Sequence, residues 1–178
     1  MPNIWNRNAL HRAALALLVA ALAACTQPPP PAQQAAPKLD VPNAVTAIRD
    51  AGAKFTSDLE VHPLRDPAID GLMQQARSQE IQQHYDQALT LAERALALSH
   101  GSPEIIQYQA ELEIGHKHYE AAAKLAQESY DHGPKNGSLC ARNIQTLIEA
   151  RNALQDSAGA VQAKVQLSSC RVDRPVRM

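Results

Sequence analysis

Aromatic side chains are scarce in this chain. Its 178 residues include one Phe, one Trp and four Tyr, too scattered to form a platform on which unpaired bases could stack. A surplus of basic charge is missing as well. Lys and Arg number 17 against 18 Asp and Glu, so the electrostatic footprint of a nucleic-acid binder is absent and no nucleic acid is expected as a partner. Short catalytic signatures are wanting too: there is no GxSxG, no Gly-rich phosphate loop, no HExxH and no CxxC. The serines fall at helix caps and in tails, and the carboxylates lie on amphipathic stretches whose charged face meets water. No enzyme, cofactor or small-molecule substrate is expected. Nor is the apolar run near the start long enough to cross a bilayer. Ala13 to Ala24 is twelve residues; as a helix it would measure about 18 Å, against a hydrocarbon core of about 30 Å.

That run does carry a different meaning. Arg7 and Arg12 precede it and small residues end it, and together these features describe a secretory signal over residues 1–24. Leu22-Ala23-Ala24-Cys25 resembles the lipobox of bacterial lipoproteins. The resemblance implies that Cys25 becomes the mature N-terminus and is acylated, with diacylglycerol and often an amide-linked chain such as palmitate. An ordinary signal peptide, with Cys25 incidental, is the alternative. In that family an aspartate after the cysteine tends to retain the protein in the inner membrane. Thr26 stands there instead, which implies a lipid anchor in the outer membrane with the chain facing the periplasm.

Residues 25–42 read as a tether. Thr26-Gln27-Pro28-Pro29-Pro30-Pro31 opens a polar, proline-rich stretch without periodicity. In polyproline II the 17 residues after Cys25 would reach up to about 50 Å. Removing Arg7 and Arg12 with the signal leaves 154 residues carrying 15 basic and 18 acidic side chains, a net charge of −3.

From Asp66 the pattern turns helical and repeats. Set without gaps, Ile69–Ser102 and Pro103–Asn136 share seven identities: Gln75/Gln109, Ala76/Ala110, His84/His118, Tyr85/Tyr119, Ala88/Ala122, Leu91/Leu125 and Ala92/Ala126. A 34-residue period with alanines at these places resembles the tetratricopeptide repeat. The resemblance puts small residues where two antiparallel helices approach closely, Ala76 and Ala110 on the first helix of each pair, Ala88 and Ala122 on the second. Tyr85 and Tyr119 would sit at the turn between them. Two departures stand out: the large residue early in the first helix is reduced to Leu72 and Ile106, and the small residue late in the second is Ala95 in one copy but Ser129 in the other.

Local signals fit this frame. Asp66-Pro67 and Ser102-Pro103 each read as an N-cap followed by proline in the first turn. His100-Gly101 and Gly133-Pro134 read as helix ends. Helices are therefore expected at about 67–83, 85–99, 103–116 and 118–132. A third pair, at about 139–154 and 157–169, follows from matching Ala160 to Ala122, an offset of 38. The four extra residues are assigned to the turn Gly133–Ser138. Ala44, Ile48, Ala51 and Phe55 step along one face of a short helix, which within 43–65 is expected to cap the open end of the stack before an extended link. The expected fold is all-α. It is a right-handed α-solenoid of about three tetratricopeptide-like antiparallel pairs over 66–170, with the short N-terminal helix before it and a tail at 171–178.

The resemblance also implies a partner surface. First helices of successive pairs would line a concave groove for an extended peptide or a partner helix. Carried over residue by residue, it offers Gln74 and Arg77, then Gln107, Tyr108 and Glu111, then Arg142, Gln145 and Glu149. The expected function is a lipid-anchored adaptor or scaffold for envelope machinery: outer-membrane protein assembly, pilus or secretion components, or peptidoglycan enzymes. The alternative is a metal-binding or catalytic periplasmic protein using His84, His116 and His118. Those histidines otherwise read as exposed turn residues near the last carbonyls of a helix, with no carboxylate or cysteine at a spacing that completes a metal site. A self-associating structural lipoprotein is a third possibility. Within the repeat frame, Cys140 begins the first helix of the third pair and Cys170 ends the second. Antiparallel packing would bring them together, and an exported chain would hold them as a disulfide.

Overall fold

A computed structural model describes residues 40–56 and 66–171 of the chain. The signal segment, Cys25, the tether up to residue 39, most of the link and the tail from 172 lie outside the described residues. Within them the protein is helical, without strands. The helices are α1 (Val41–Lys54), α2 (Pro67–Ile81), α3 (Tyr85–Leu98), α4 (Pro103–His116), α5 (Tyr119–His132), α6 (Gly137–Ala153) and α7 (Ser157–Leu167), followed by a 3-10 turn at Ser168–Cys170. From α2 onward each helix packs against the next.

Local chemistry explains where these helices begin. Asp66 caps α2, its carboxylate accepting from the Ala68 N–H at 2.8 Å, and proline follows in the first turn. Ser102 precedes α4 without a side-chain cap on the backbone. Its hydroxyl donates instead to the Glu104 carboxylate at 2.6 Å. Helix α1 starts at Val41, inside the stretch expected as tether, because Pro42 fits the first turn, where no N–H is needed.

The ends of α2, α4 and α6 share one device. Gln83, Lys117 and Gln155 all adopt left-handed φ, at 61°, 67° and 63°. The following N–H then returns to the carbonyl five residues back: His84 to Gln79 at 2.9 Å, His118 to Glu113 at 2.9 Å, Asp156 to Arg151 at 2.8 Å. This Schellman closure satisfies carbonyls that a helix end leaves unpaired. It closes the first helix of each pair, and α3 ends the same way, with His100 at φ 54° and the Gly101 N–H on the Leu96 carbonyl at 3.3 Å. The recurrence also relocates the four extra residues. Pro103 and Gly137, which begin α4 and α6, are 34 apart, whereas Lys117 and Gln155 are 38 apart. The insertion therefore lies inside α6, not in the turn after α5. About one helical turn can be added there with little rotation of the buried face.

Small residues set the spacing between helices. Ala76, Ala88, Ala92, Ala95, Ala110, Ala122 and Ala126 are buried completely, and a larger side chain at any of them would push two helices apart. Ser129 stands at the place of Ala95 without penalty because its hydroxyl donates to the Pro103 carbonyl at 2.7 Å. Gly115 answers a different demand: a Cβ there would lie 2.4 Å from the Tyr85 ring, so only glycine lets Tyr85 lie against the end of α4. The disulfide Cys140–Cys170 joins the start of α6 to the 3-10 turn after α7, with Cα atoms 5.5 Å apart. Both cysteines are buried, in a core shared with Ile144, Leu147 and Ala163.

Candidate functional site

Helix α1 does not sit at an end of the helical array. It lies against α6 and α4, across the helices expected to line the groove. Its buried stripe is Ala44, Ile48 and Ala51. These side chains contact Ile114, Ala122 and Ala150 at one end and the disulfide-bearing core at the other. Gly52 permits the approach: a Cβ there would meet the Arg142 stem at 2.7 Å. The expectation of a cap failed because the stripe shows that α1 must bury one face and does not say which surface receives it.

A chain of charges fastens the helix. Glu111 is shut off from solvent and accepts from Arg142 Nε at 2.8 Å and from Arg49 Nε at 3.0 Å. Gln107 adds a hydrogen bond to Glu111 at 3.1 Å and one to Thr146 at 2.8 Å. Arg49 continues to Glu80 at 2.6 Å, and Glu80 accepts from the Tyr108 hydroxyl at 3.0 Å. Two guanidiniums and two carboxylates thus balance across α1, α2, α4 and α6. Burial by itself would lower the Arg49 pKa, but the charges of Glu111 and Glu80 and their hydrogen bonds outweigh it and raise it. The Tyr108 phenol is also raised, first by burial and then by the Glu80 carboxylate that its neutral hydroxyl serves.

The groove expectation must be corrected accordingly. Gln107, Tyr108 and Glu111 are buried and present nothing to a partner while α1 is seated. Arg142, Gln145 and Glu149 are half-buried, with Arg142 engaged by Glu111 and Gln145 donating to Glu149 at 2.7 Å. Gln74 and Arg77 on α2 are exposed. A cleft of about 270 Å³ along the edge of α1 is lined by Ala47, Asp50, Ala51, Lys54, Phe55, Gln145 and Leu167. Its lining carries no serine, threonine, cysteine or histidine.

The histidines are drawn into the recurring turns. His84 Nδ1 lies 3.0 Å from Gln79 Oε1, and His118 Nδ1 lies 2.9 Å from Glu113 Oε2. The two imidazoles of the second turn come together, the His116 and His118 ring centres 4.1 Å apart. With Glu113 they offer three ligand atoms within 4.8 Å of one another. A carboxylate does complete this cluster, contrary to the sequence expectation, and His84 is not part of it. Among the residues missed in the sequence, Arg49 and Glu80 gave no motif. Glu113 was findable in principle, five residues before a histidine whose turn doubles back.

No protein-family model matches the chain, and no curated protein or solved structure matches it either. Among the described residues, no helix is long and apolar enough to cross a membrane.

Proposed function

We propose that this protein is a lipid-anchored adaptor of the bacterial envelope. On this reading its three helix pairs form a right-handed, tetratricopeptide-like α-solenoid held at the outer membrane through Cys25 and facing the periplasm. The observation that carries the reading is the seat of α1. A face made by α4 and α6 already holds an amphipathic helix, through an apolar stripe and the Arg49–Glu111 pair. That is the mode by which grooves hold partner helices. The return of this turn at Gln83, Lys117 and Gln155, at the corresponding places of the repeat frame, supports the repeat architecture. The surface left for a protein or peptide partner is the neighbouring part of the face, marked by Gln74 and Arg77.

The adaptor reading is tested in intact envelopes with a photo-crosslinking residue at position 74 or 77, and at exposed Glu93 as a control. Discrete adducts from 74 and 77 alone are expected. Adducts that are absent, or equal at 93, would overturn the reading. The anchor is tested separately by Cys25→Ser, which should release the protein into the soluble fraction, since two or more acyl chains hold a protein stably where one does not. Persistence on membranes through a carbonate wash would refute it.

A further inference from the structure

We infer that the turn between α4 and α5 is a zinc site, with Glu113, His116 and His118 as its protein ligands. The inference stands apart from the adaptor reading. A tetrahedral zinc bound at about 2.0–2.1 Å places neighbouring donor atoms about 3.3 Å apart. The three side chains converge close to that scale already, with His118 Nδ1 at 2.9 Å from Glu113 Oε2 and all three donors within 4.8 Å. Small side-chain rotations suffice to open the space.

Two further observations point to a ligand. His116 Nδ1 is buried and makes no hydrogen bond; its nearest acidic oxygen, on Asp86, lies 3.7 Å away. A ring nitrogen withdrawn from water without a partner is unfavourable, and a metal bond or a rotation toward one would relieve it. The ring is also held from behind, stacked on Tyr85 with centres 5.9 Å apart, while Tyr85 itself rests on Gly115. Support of this kind fixes ligand orientation in metal sites.

The molecule contains its own control. The three turns share one backbone closure, yet the positions of Glu113, His116 and His118 are held by Gln79, Gln82 and His84 in the first turn. In the third they are Arg151, Leu154 and Asp156. Only the second turn carries two imidazoles and a carboxylate. Imidazole with a single carboxylate suits zinc, whereas calcium and magnesium require more oxygen donors and Cu(I) favours sulfur. Three protein ligands would leave one tetrahedral position for water.

The test is calorimetric titration of the metal-free full chain, in mild detergent near neutral pH, with zinc chloride. One zinc per chain is expected. Glu113→Gln with His116→Gln, which reproduces the first turn, should weaken binding on the order of 100-fold or more. His84→Gln should leave it unchanged. Circular dichroism on each variant shows whether the helices persist; should the double variant lose them, cobalt substitution of the unaltered chain decides, tetrahedral absorption bands supporting the site and octahedral bands overturning it. Absence of stoichiometric zinc binding, equal affinity in the folded double variant, or loss on His84→Gln alone would also overturn it.

Discussion

Gln74 and Tyr108 occupy the same place in two successive copies of the repeat, as do Arg77 and Glu111. On α2 both residues are exposed; on α4 both are buried. The backbone is repeated, but the environment is not. What separates the copies is α1, which covers α4 and α6 and leaves the outer face of α2 open. On the covered side Glu111, Tyr108 and the Gln107 amide nitrogen are paired to neighbouring side chains, whereas Gln74 and Arg77 are exposed to water. Position within a repeat therefore sets which way a side chain points, and the covering helix decides what it meets.

The largest effect on this contrast should come from the covered side's crosslink. Replacing Cys140 and Cys170 by Ala opens a loop of 30 residues, for which chain entropy gives about 3.5 kcal/mol. Urea denaturation should register the loss, and hydrogen exchange should show α6 and α7 losing protection before α2 and α3. Simultaneous loss across all helices would mean that the two sides open as one unit. Next comes Glu111→Ala, which strands Arg142, leaves Arg49 with Glu80 alone and should cost about 2–4 kcal/mol, reduced from the range for a broken buried pair because both arginines can regain some water. Its counterpart Arg77→Ala should shift stability by no more than about 0.5 kcal/mol. Equal losses at the two sites would erase the distinction drawn here.

On the covered side the smallest effect belongs to Tyr108→Phe, which removes one hydrogen bond to Glu80 and should cost about 0.5–1.5 kcal/mol near neutral pH. Its pH dependence is more informative. Because the folded phenol is held above its ordinary value of 10.0, the unfolded chain releases that proton first. The stabilisation is complete below about pH 10 and declines as pH rises beyond it. Phe should abolish that component of the alkaline decline; an unchanged slope in the variant would place its origin elsewhere.

Much of the fold was legible because its signals are local. Asp66-Pro67 and Ser102-Pro103 mark helix starts through capping chemistry and proline geometry, and the alanines declare close approach wherever they recur. The seat of α1 was not legible. Ala44, Ile48 and Ala51 announce an apolar face, but the Arg49–Glu111 contact that orients it spans 62 residues and leaves no local trace. The insertion in α6 was assigned to a turn because four residues come close to one full helical turn of about 3.6, so the apolar pattern continues across it. Glu113 was overlooked for a related reason. Linear metal motifs assume an uninterrupted helix, whereas left-handed Lys117 folds His118 back toward a residue five positions earlier.

The seat of α1 has a consequence in terms of mass action. The occupant of the α4–α6 face is part of the same chain, so its effective concentration, which for linked modules can reach millimolar order, does not depend on how much protein is present. An outside helix with the same intrinsic affinity would have to reach about that concentration to displace half of it. Competition of this kind screens out weak visitors without any gate having to move. Only a partner that binds far more tightly could claim the covered face, and for every other the accessible ground is the row of α2 side chains beside it.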